Sequence, residues 1–248
     1  MNEEQRVVKP DFSTVSGGGD RPSPPAGPTP DVAASGTATD PREPAPLRGL
    51  TPAQATAKRA LDIVVAAAAL ALGGWLIILG AAASAIAHGG SGFFVQRRVG
   101  RHGVPFPLLK LMTMRDGTAS STTVTTANDP RITSVGRFLR KTKLDELPQF
   151  VNVLLGHMSL VGPRPDVPGF ADHLTGADRI VLNVAPGITG PATLAYRREE
   201  DLLAAQEDPE RYNRDVVFPD KVRLNRAYVE EYVFWRDLVY LWRTLVGR

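Results

Sequence analysis

Cysteine is absent from this sequence of 248 residues, which excludes disulfides and every zinc site built on thiolates. With no thiol, the chain gives no reading of redox compartment. Histidine is scarce: His88, His102, His157 and His173 fall at no helical metal-ligand spacing, and no chemistry is assigned to them. Neither a phosphate-binding loop nor a dinucleotide fingerprint is present. No short apolar core follows Met1-Asn-Glu-Glu-Gln-Arg6, so no secretory signal is expected. Charge is nearly balanced, 29 Lys and Arg against 26 Asp and Glu. No nucleic-acid motif accompanies the basic clusters, so phosphate and anionic headgroups are the expected partners rather than nucleic acid.

Organisation follows composition. Residues 1–50 are crowded with Pro, Gly, Ser, Thr and Ala, as in Ser16-Gly-Gly-Gly19 and Pro22-Ser-Pro-Pro25. Apolar side chains there are too sparse to offset the entropy of ordering, so a disordered tail is expected. Beyond Lys58-Arg59 the regime changes. Residues 63–87 hold no charge, and Ser84 carries their one side-chain hydroxyl. That run is longer than the ~20 apolar residues a membrane segment needs. The soluble alternative is a buried core helix, which its many alanines suit. Basic residues flank both ends, Lys58 and Arg59 before, Arg97, Arg98 and Arg101 after. A spanning helix prefers its positive flank on one side, so the pattern favours a segment that enters and leaves by the same face, bent at Gly73-Gly74. The same glycines are compatible with close helix packing instead.

Further on, Phe93-Phe-Val95 reads as a short strand, Gly100 and Gly103 as a turn, and residues 118–126 as a polar Ser/Thr loop. A helix is expected over residues 132–143, with Ile132, Val135, Phe138 and Leu139 on its apolar side. Residues 219–248 read as one long or broken amphipathic helix, in which Tyr228, Tyr232, Trp235, Tyr240 and Trp242 alternate with Arg236 and Arg243. That mixture suits a membrane headgroup layer; a core-facing helix explains it equally well.

The most informative stretch is Arg140-Lys-Thr-Lys-Leu-Asp-Glu-Leu-Pro-Gln149. Adjacent carboxylates, Asp145 and Glu146, follow one Arg and two Lys and precede Gly162-Pro-Arg-Pro165. Arg offers paired planar donors to phosphate oxygens and Lys offers point charge. A carboxylate in that field can attack phosphorus or hold a metal. Asp is a preferred helix cap and Pro is tolerated in a first turn, so a helix is expected from Asp145 to residue 155, stopping at Gly156. The pair would then lie at the positive end of a helix dipole, where phosphate binds readily. Asp145 alone could be no more than a cap; Arg140 and Arg164 are what point to phosphate chemistry.

An ordered set of motifs carries a resemblance. It runs through Lys58-Arg59-Ala-Leu-Asp62, Gln96-Arg-Arg98-Val-Gly100, Lys110-Leu-Met-Thr-Met114, Asp129-Pro-Arg-Ile-Thr133 and Val135-Gly-Arg-Phe-Leu-Arg140. Leu144-Asp-Glu-Leu-Pro-Gln149, Asn152-Val153, Met158-Ser-Leu-Val-Gly-Pro-Arg-Pro165 and Pro186-Gly-Ile-Thr-Gly190 complete it. In these the chain resembles the small polyprenyl-phosphate glycosyl-1-phosphate transferases of bacteria, monotopic enzymes that initiate surface glycan assembly. The resemblance implies transfer of a sugar 1-phosphate from a UDP-sugar to undecaprenyl phosphate, with release of UMP. It implies that Asp145 attacks the phosphate to form a phospho-sugar enzyme intermediate, and that Glu146 is associated with a magnesium ion. Arg140, Arg164, Lys110, Gln96, Arg98, Pro163 and Pro165 form the candidate substrate-binding set.

The fold so implied is mainly α with minor β. A re-entrant membrane helix over residues 58–88 would anchor a compact catalytic domain, residues 89–248, with amphipathic interfacial helices. The expected location is the cytoplasmic face of the bacterial inner membrane, without the N-terminal membrane domain of larger relatives. A second copy and downstream glycosyltransferases are further candidate partners. Several positions depart from the family pattern: Gly74-Trp75 replaces Ser-Pro in the membrane segment, Met112 replaces a basic residue and Ala185 replaces an Arg. After Gly190, residues 191–200 replace the usual Gln-containing continuation, which points to a subgroup with its own sugar preference. Two rival functions stand beside the transferase: a metal-dependent phosphohydrolase or glycosidase, and a non-enzymatic scaffold for glycan assembly. Adjacent carboxylates do not suit a glycosidase, whose pair must flank the scissile bond.

Overall fold

The computed structural model of the protein describes residues 50–115 and 129–247. Of the expected tail only Leu50 falls in that range, and the Ser/Thr loop over residues 118–126 lies outside it. The described residues are mostly helical, with two small two-stranded sheets.

Helix α1, Pro52–His88, opens on a capping box: Gln54 N donates to Thr51 Oγ1 and Thr51 N donates to Gln54 Oε1. It stops at Gly89, whose φ of 74° terminates the helix in the left-handed region. The break expected at Gly73-Gly74 is absent, and the helix is continuous through both. Each Gly weakens a helix by roughly 1 kcal/mol, too little to open one propagating through long runs of Ala and Leu. Both ends of α1 pack on the rest of the chain, burying Lys58, Asp62 and Ala66 at one end and Gly80, Ala81 and Ser84 at the other. Between them Leu72, Trp75, Ile78 and Leu79 are exposed, and only 11% of the helix's most apolar stretch is covered by protein. α1 is therefore not the core helix of a soluble domain.

Strands β1, Phe93–Val99, and β2, Pro105–Leu111, form an antiparallel hairpin. β1 is longer than the sequence indicated. β2 carries Pro105 and Pro107, which argue against a strand. It persists because the Asn152 amide donates to Pro107 O (2.7 Å) while its Oδ1 accepts from Leu109 N (3.0 Å), replacing a neighbouring strand. Helix α2, Ser134–Thr142, is capped by Thr133, whose Oγ1 accepts from Gly136 N. Leu139 is buried on its inner side, but Phe138 is exposed.

The next segment differs from the expected helix cap. Lys143 adopts φ 59°, an uncommon left-handed conformation for a residue with a Cβ. It turns the chain so that Leu144–Glu146 form a 3-10 turn, and α3 spans only Gln149–Leu154. Asp145 makes no capping hydrogen bond. The chain then enters β3, Ser159–Val161, which pairs in parallel with β4, Gly187–Thr189. Short helices α4, Pro191–Ala195, α5, Glu199–Ala204, and α6, Pro209–Tyr212, lead to α7, Phe218–Glu230, and α8, Phe234–Val246. The C-terminal helix is thus broken, at an extended Val233. Val153, Met158, Leu160, Val161, Tyr228 and Val229 lie in the main core, between α1, α3, β3 and α7.

Candidate active site

Two glycine-bearing motifs build the floor of the site by backbone approach. Gly162 N donates to Thr189 O (2.8 Å) and Gly187 N donates to Pro163 O (2.7 Å). A Cβ on Gly187 would stand 2.1 Å from Gly162 N, so any larger residue would force the two segments apart. This interlock holds the loop after β3, and with it Arg164, opposite the 3-10 turn.

Arg164 Nη2 donates to Glu146 Oε1 at 2.7 Å, and Lys110 Nζ, from β2, approaches the same oxygen at 3.4 Å. Burial alone would raise the Glu146 pKa, but Arg164 and Lys110 overcome it and hold the carboxyl well below its usual range. Glu146 in turn pushes the Arg164 guanidinium up, while burial pushes Lys110 down against the pull of Glu146.

Asp145 has the opposite character. Its side chain is buried, Oδ1 has no hydrogen-bond partner among the described residues, and burial followed by the Glu146 charge raises its pKa. Lys110, Lys143 and Arg140 counter part of that rise. Two neighbouring carboxylates are thus driven apart by their surroundings: one bound by cations that favour its ionised form, the other unbound and sensitive to local charge.

The other sequence-derived candidates divide. Arg98 lies behind Arg164: its Nη1 donates to Pro165 O (3.2 Å), its Nε is buried without a partner, and burial then Arg164 lower it to about 10. Gln96 shares the hairpin face of Arg98 and Lys110, opposite Leu108, and no hydrogen bond joins its side chain to the dyad. Pro163 and Pro165 are buried and contribute backbone carbonyls to Gly187 and Arg98. Arg140 pairs with Glu200 and contacts Met114 Sδ, reaching Asp145 only through its charge. Among the described residues no group of three or more His, Asp or Glu gathers as a metal site.

Sequence reasoning missed a second layer. Lys221 Nζ donates to both oxygens of Glu199 at 2.6 Å and lies over the Tyr196 ring. Asp166, directly after the Pro-Arg-Pro run, faces Lys221, Arg98 and Arg164. Lys58, read as a flanking charge, is instead buried against Asp237 (2.6 Å) and Val161 O (2.8 Å), with Tyr228 and Tyr232 donating to the same carboxylate. Arg59 donates to the carbonyls of Val153 and Leu154, closing α3. No short-range pattern marks these pairs, since their members are far apart in the chain.

Comparison with known proteins gives a match to the family model described as bacterial sugar transferase over residues 53–247. Over 205 residues the chain is 33% identical to the exopolysaccharide production protein ExoY of Rhizobium meliloti (strain 1021), covering 76% of this chain and 84% of that one. It is 37% identical over 196 residues to a UDP-glucose:undecaprenyl-phosphate glucose-1-phosphate transferase of Caulobacter vibrioides, covering 76% and 68%. It is 36% identical over 193 residues to the protein of the same name in Escherichia coli (strain K12), covering 76% of this chain but 39% of that one.

Proposed function

The chain belongs to the bacterial sugar transferase family, and we propose on that footing that it transfers a sugar 1-phosphate from a UDP-sugar to undecaprenyl phosphate, starting a surface glycan. The relatives named for that transfer support the reaction class. The observation that carries the mechanism is the split within the dyad: Glu146 is engaged by Arg164 and Lys110, while Asp145 Oδ1 is buried and unpartnered.

In the first step Asp145 attacks the sugar-bearing phosphorus of the donor. The bond from that phosphorus to the bridging oxygen breaks, and UMP leaves with the electron pair. In the second step an oxygen of undecaprenyl phosphate attacks the same phosphorus, the aspartyl oxygen departs, and Asp145 returns to a free carboxylate. Splitting the transfer lets UMP leave before the bulky lipid phosphate occupies the same place. Arg164 and Lys110 supply fixed positive charge where charge develops on the leaving phosphate.

The residues fit a hard, oxygen-seeking ion such as magnesium. Glu146 would hold the ion through Oε2, since Arg164 and Lys110 both engage Oε1, together with donor phosphate oxygens and water, which is the kind of shell magnesium accepts. When bound, it would neutralise the donor diphosphate.

α1 supports a membrane attachment, and the topology proposed for it is one without crossing. Its two ends pack on one folded body, and the uncovered apolar middle lies between them, so a dip into one leaflet accounts for the helix better than a span. On α8, Trp235, Val239, Trp242 and Leu245 are exposed on one side while Asp237 is buried on the other, the layout of a helix lying in the headgroup layer. Use of a UDP-sugar donor supports a site on the cytoplasmic face of the inner membrane. The test is release of UMP from a panel of UDP-sugars with and without undecaprenyl phosphate. Transfer requires the lipid; acceptor-independent release of sugar phosphate would instead mark a hydrolase.

A further inference from the structure

Asp166 stands among cations, yet none of them bonds it. Its backbone carbonyl accepts from Val99 N (2.9 Å), which fixes the residue against the end of β1. Its carboxylate makes no hydrogen bond among the described residues. The three cations around it are each committed elsewhere: Arg164 to Glu146, Arg98 to Pro165 O, and Lys221 to both oxygens of Glu199. Burial pushes Asp166 up to about 6, with Lys221 and Arg98 opposing. A carboxylate so placed retains acceptor capacity that the described residues do not use.

The surroundings narrow what fills it. Around Asp166 the cations Arg98, Arg164 and Lys221 outnumber the carboxylates, Asp166 and Glu199, which opposes a metal ion there, and Asp166 itself repels the donor's phosphates, which Arg164 attracts. A neutral hydrogen-bond donor satisfies both conditions. Across from Asp166 lies the stretch that departs from the family pattern, with Tyr196 under Lys221 and Glu199 holding it.

We propose that Asp166 determines specificity in the donor site, its carboxylate accepting hydrogen bonds from neighbouring hydroxyls of a carbohydrate ring of the nucleotide sugar. The assignment rests on the transferase reading above. Two rings offer that chemistry, the transferred hexose and the uridine ribose.

The test uses the full chain and its Asp166→Asn and Asp166→Glu variants, with UDP-glucose and UDP-galactose as donors, undecaprenyl phosphate as acceptor, and UMP and 2′-deoxy-UMP as inhibitors. A hydrogen bond to a charged group accounts for roughly tenfold to a hundredfold. If the hexose is read, Asp166→Asn changes the ratio of kcat/KM between the two donors by that factor and leaves UMP inhibition within about twofold. If the ribose is read, the donor ratio stays and the preference for UMP over 2′-deoxy-UMP is lost. An equal shift of both donors and both nucleotides makes Asp166 a counter-ion for the cations around it and overturns the proposal, as does no shift. Should Asp166→Asn fail to fold, the same ratios read on Asp166→Glu decide the matter, since the lengthened carboxylate misplaces the acceptor but keeps the charge. Wild-type protein that releases no UMP with any donor overturns the transferase reading itself; a wild type that transfers, with variants that discriminate unchanged, sinks this assignment alone.

Discussion

Arg140 turns to Glu200 rather than to the dyad, an ion pair between residues 60 positions apart. The pair occupies a cation that the donor diphosphate would otherwise attract. Glu200→Gln is expected to free Arg140 and lower the donor KM roughly two- to fivefold, the scale of a partly exposed ion pair. Arg140→Ala is expected to raise KM instead. Steady-state kinetics at two salt concentrations read both, and a higher KM for Glu200→Gln would show that Glu200 positions Arg140 rather than competing with the donor.

Asp145 holds its proton more tightly in the folded chain than in the unfolded one, because burial and then Glu146 disfavour the ionised form. Its contribution to stability is therefore fully present below the ordinary value of 3.8 and is lost as pH rises through the raised value. Asp145→Asn is expected to lower turnover by roughly a thousandfold or more, as loss of a nucleophile does. It is also expected to raise the Tm at neutral pH, with the gain vanishing in acid. Thermal unfolding across pH gives the second outcome independently of activity; a lower Tm at neutral pH would contradict the unpaired burial of this carboxylate.

Lys58 and Asp237 bind α1 to α8 through a buried pair that two tyrosines complete. Breaking a buried pair by removing one partner costs about 3–5 kcal/mol. Lys58→Met is expected to destabilise on that scale, and Lys58→Met with Asp237→Leu to recover most of the loss. Denaturant unfolding in detergent measures both. A single variant within about 1 kcal/mol of wild type would remove the pair from the account of how α1 is anchored.

The absence of cysteine makes topology accessible. Thr51→Cys, before α1, and Ser91→Cys, after it, are both at exposed positions. Both are expected to react with a membrane-impermeant thiol reagent only from the cytoplasmic side. Reaction from opposite sides would make α1 a spanning helix.

Much of the candidate site was legible because its charged residues sit in local motifs. Asp145, Glu146 and Arg164 announce themselves by charge beside Gly and Pro, and the structure joins Glu146 to Arg164 directly. What local pattern could not supply was tertiary satisfaction. Asp145 read as a helix cap because Asp-Glu-Leu-Pro favours one, but the left-handed Lys143 imposes a 3-10 turn. β2 was hidden by its prolines, since the partner that replaces a strand is Asn152, far along the chain. Lys58 read as a membrane flank, because nothing near it indicates that Asp237 awaits it. The placing of α2 and the C-terminal helices followed the apolar pattern, that of α3 its Pro start and Gly stop, and all were recovered with shifted ends.

The most direct test follows phosphorus. Wild-type protein is mixed with UDP-sugar labelled in the sugar-bearing phosphate, without lipid acceptor, and quenched rapidly. Label is expected on Asp145 by peptide mapping, to be absent from Asp145→Asn, and to pass to the lipid when undecaprenyl phosphate is added. Protein that forms the lipid-linked product at full rate while never carrying label would contradict the covalent role of Asp145.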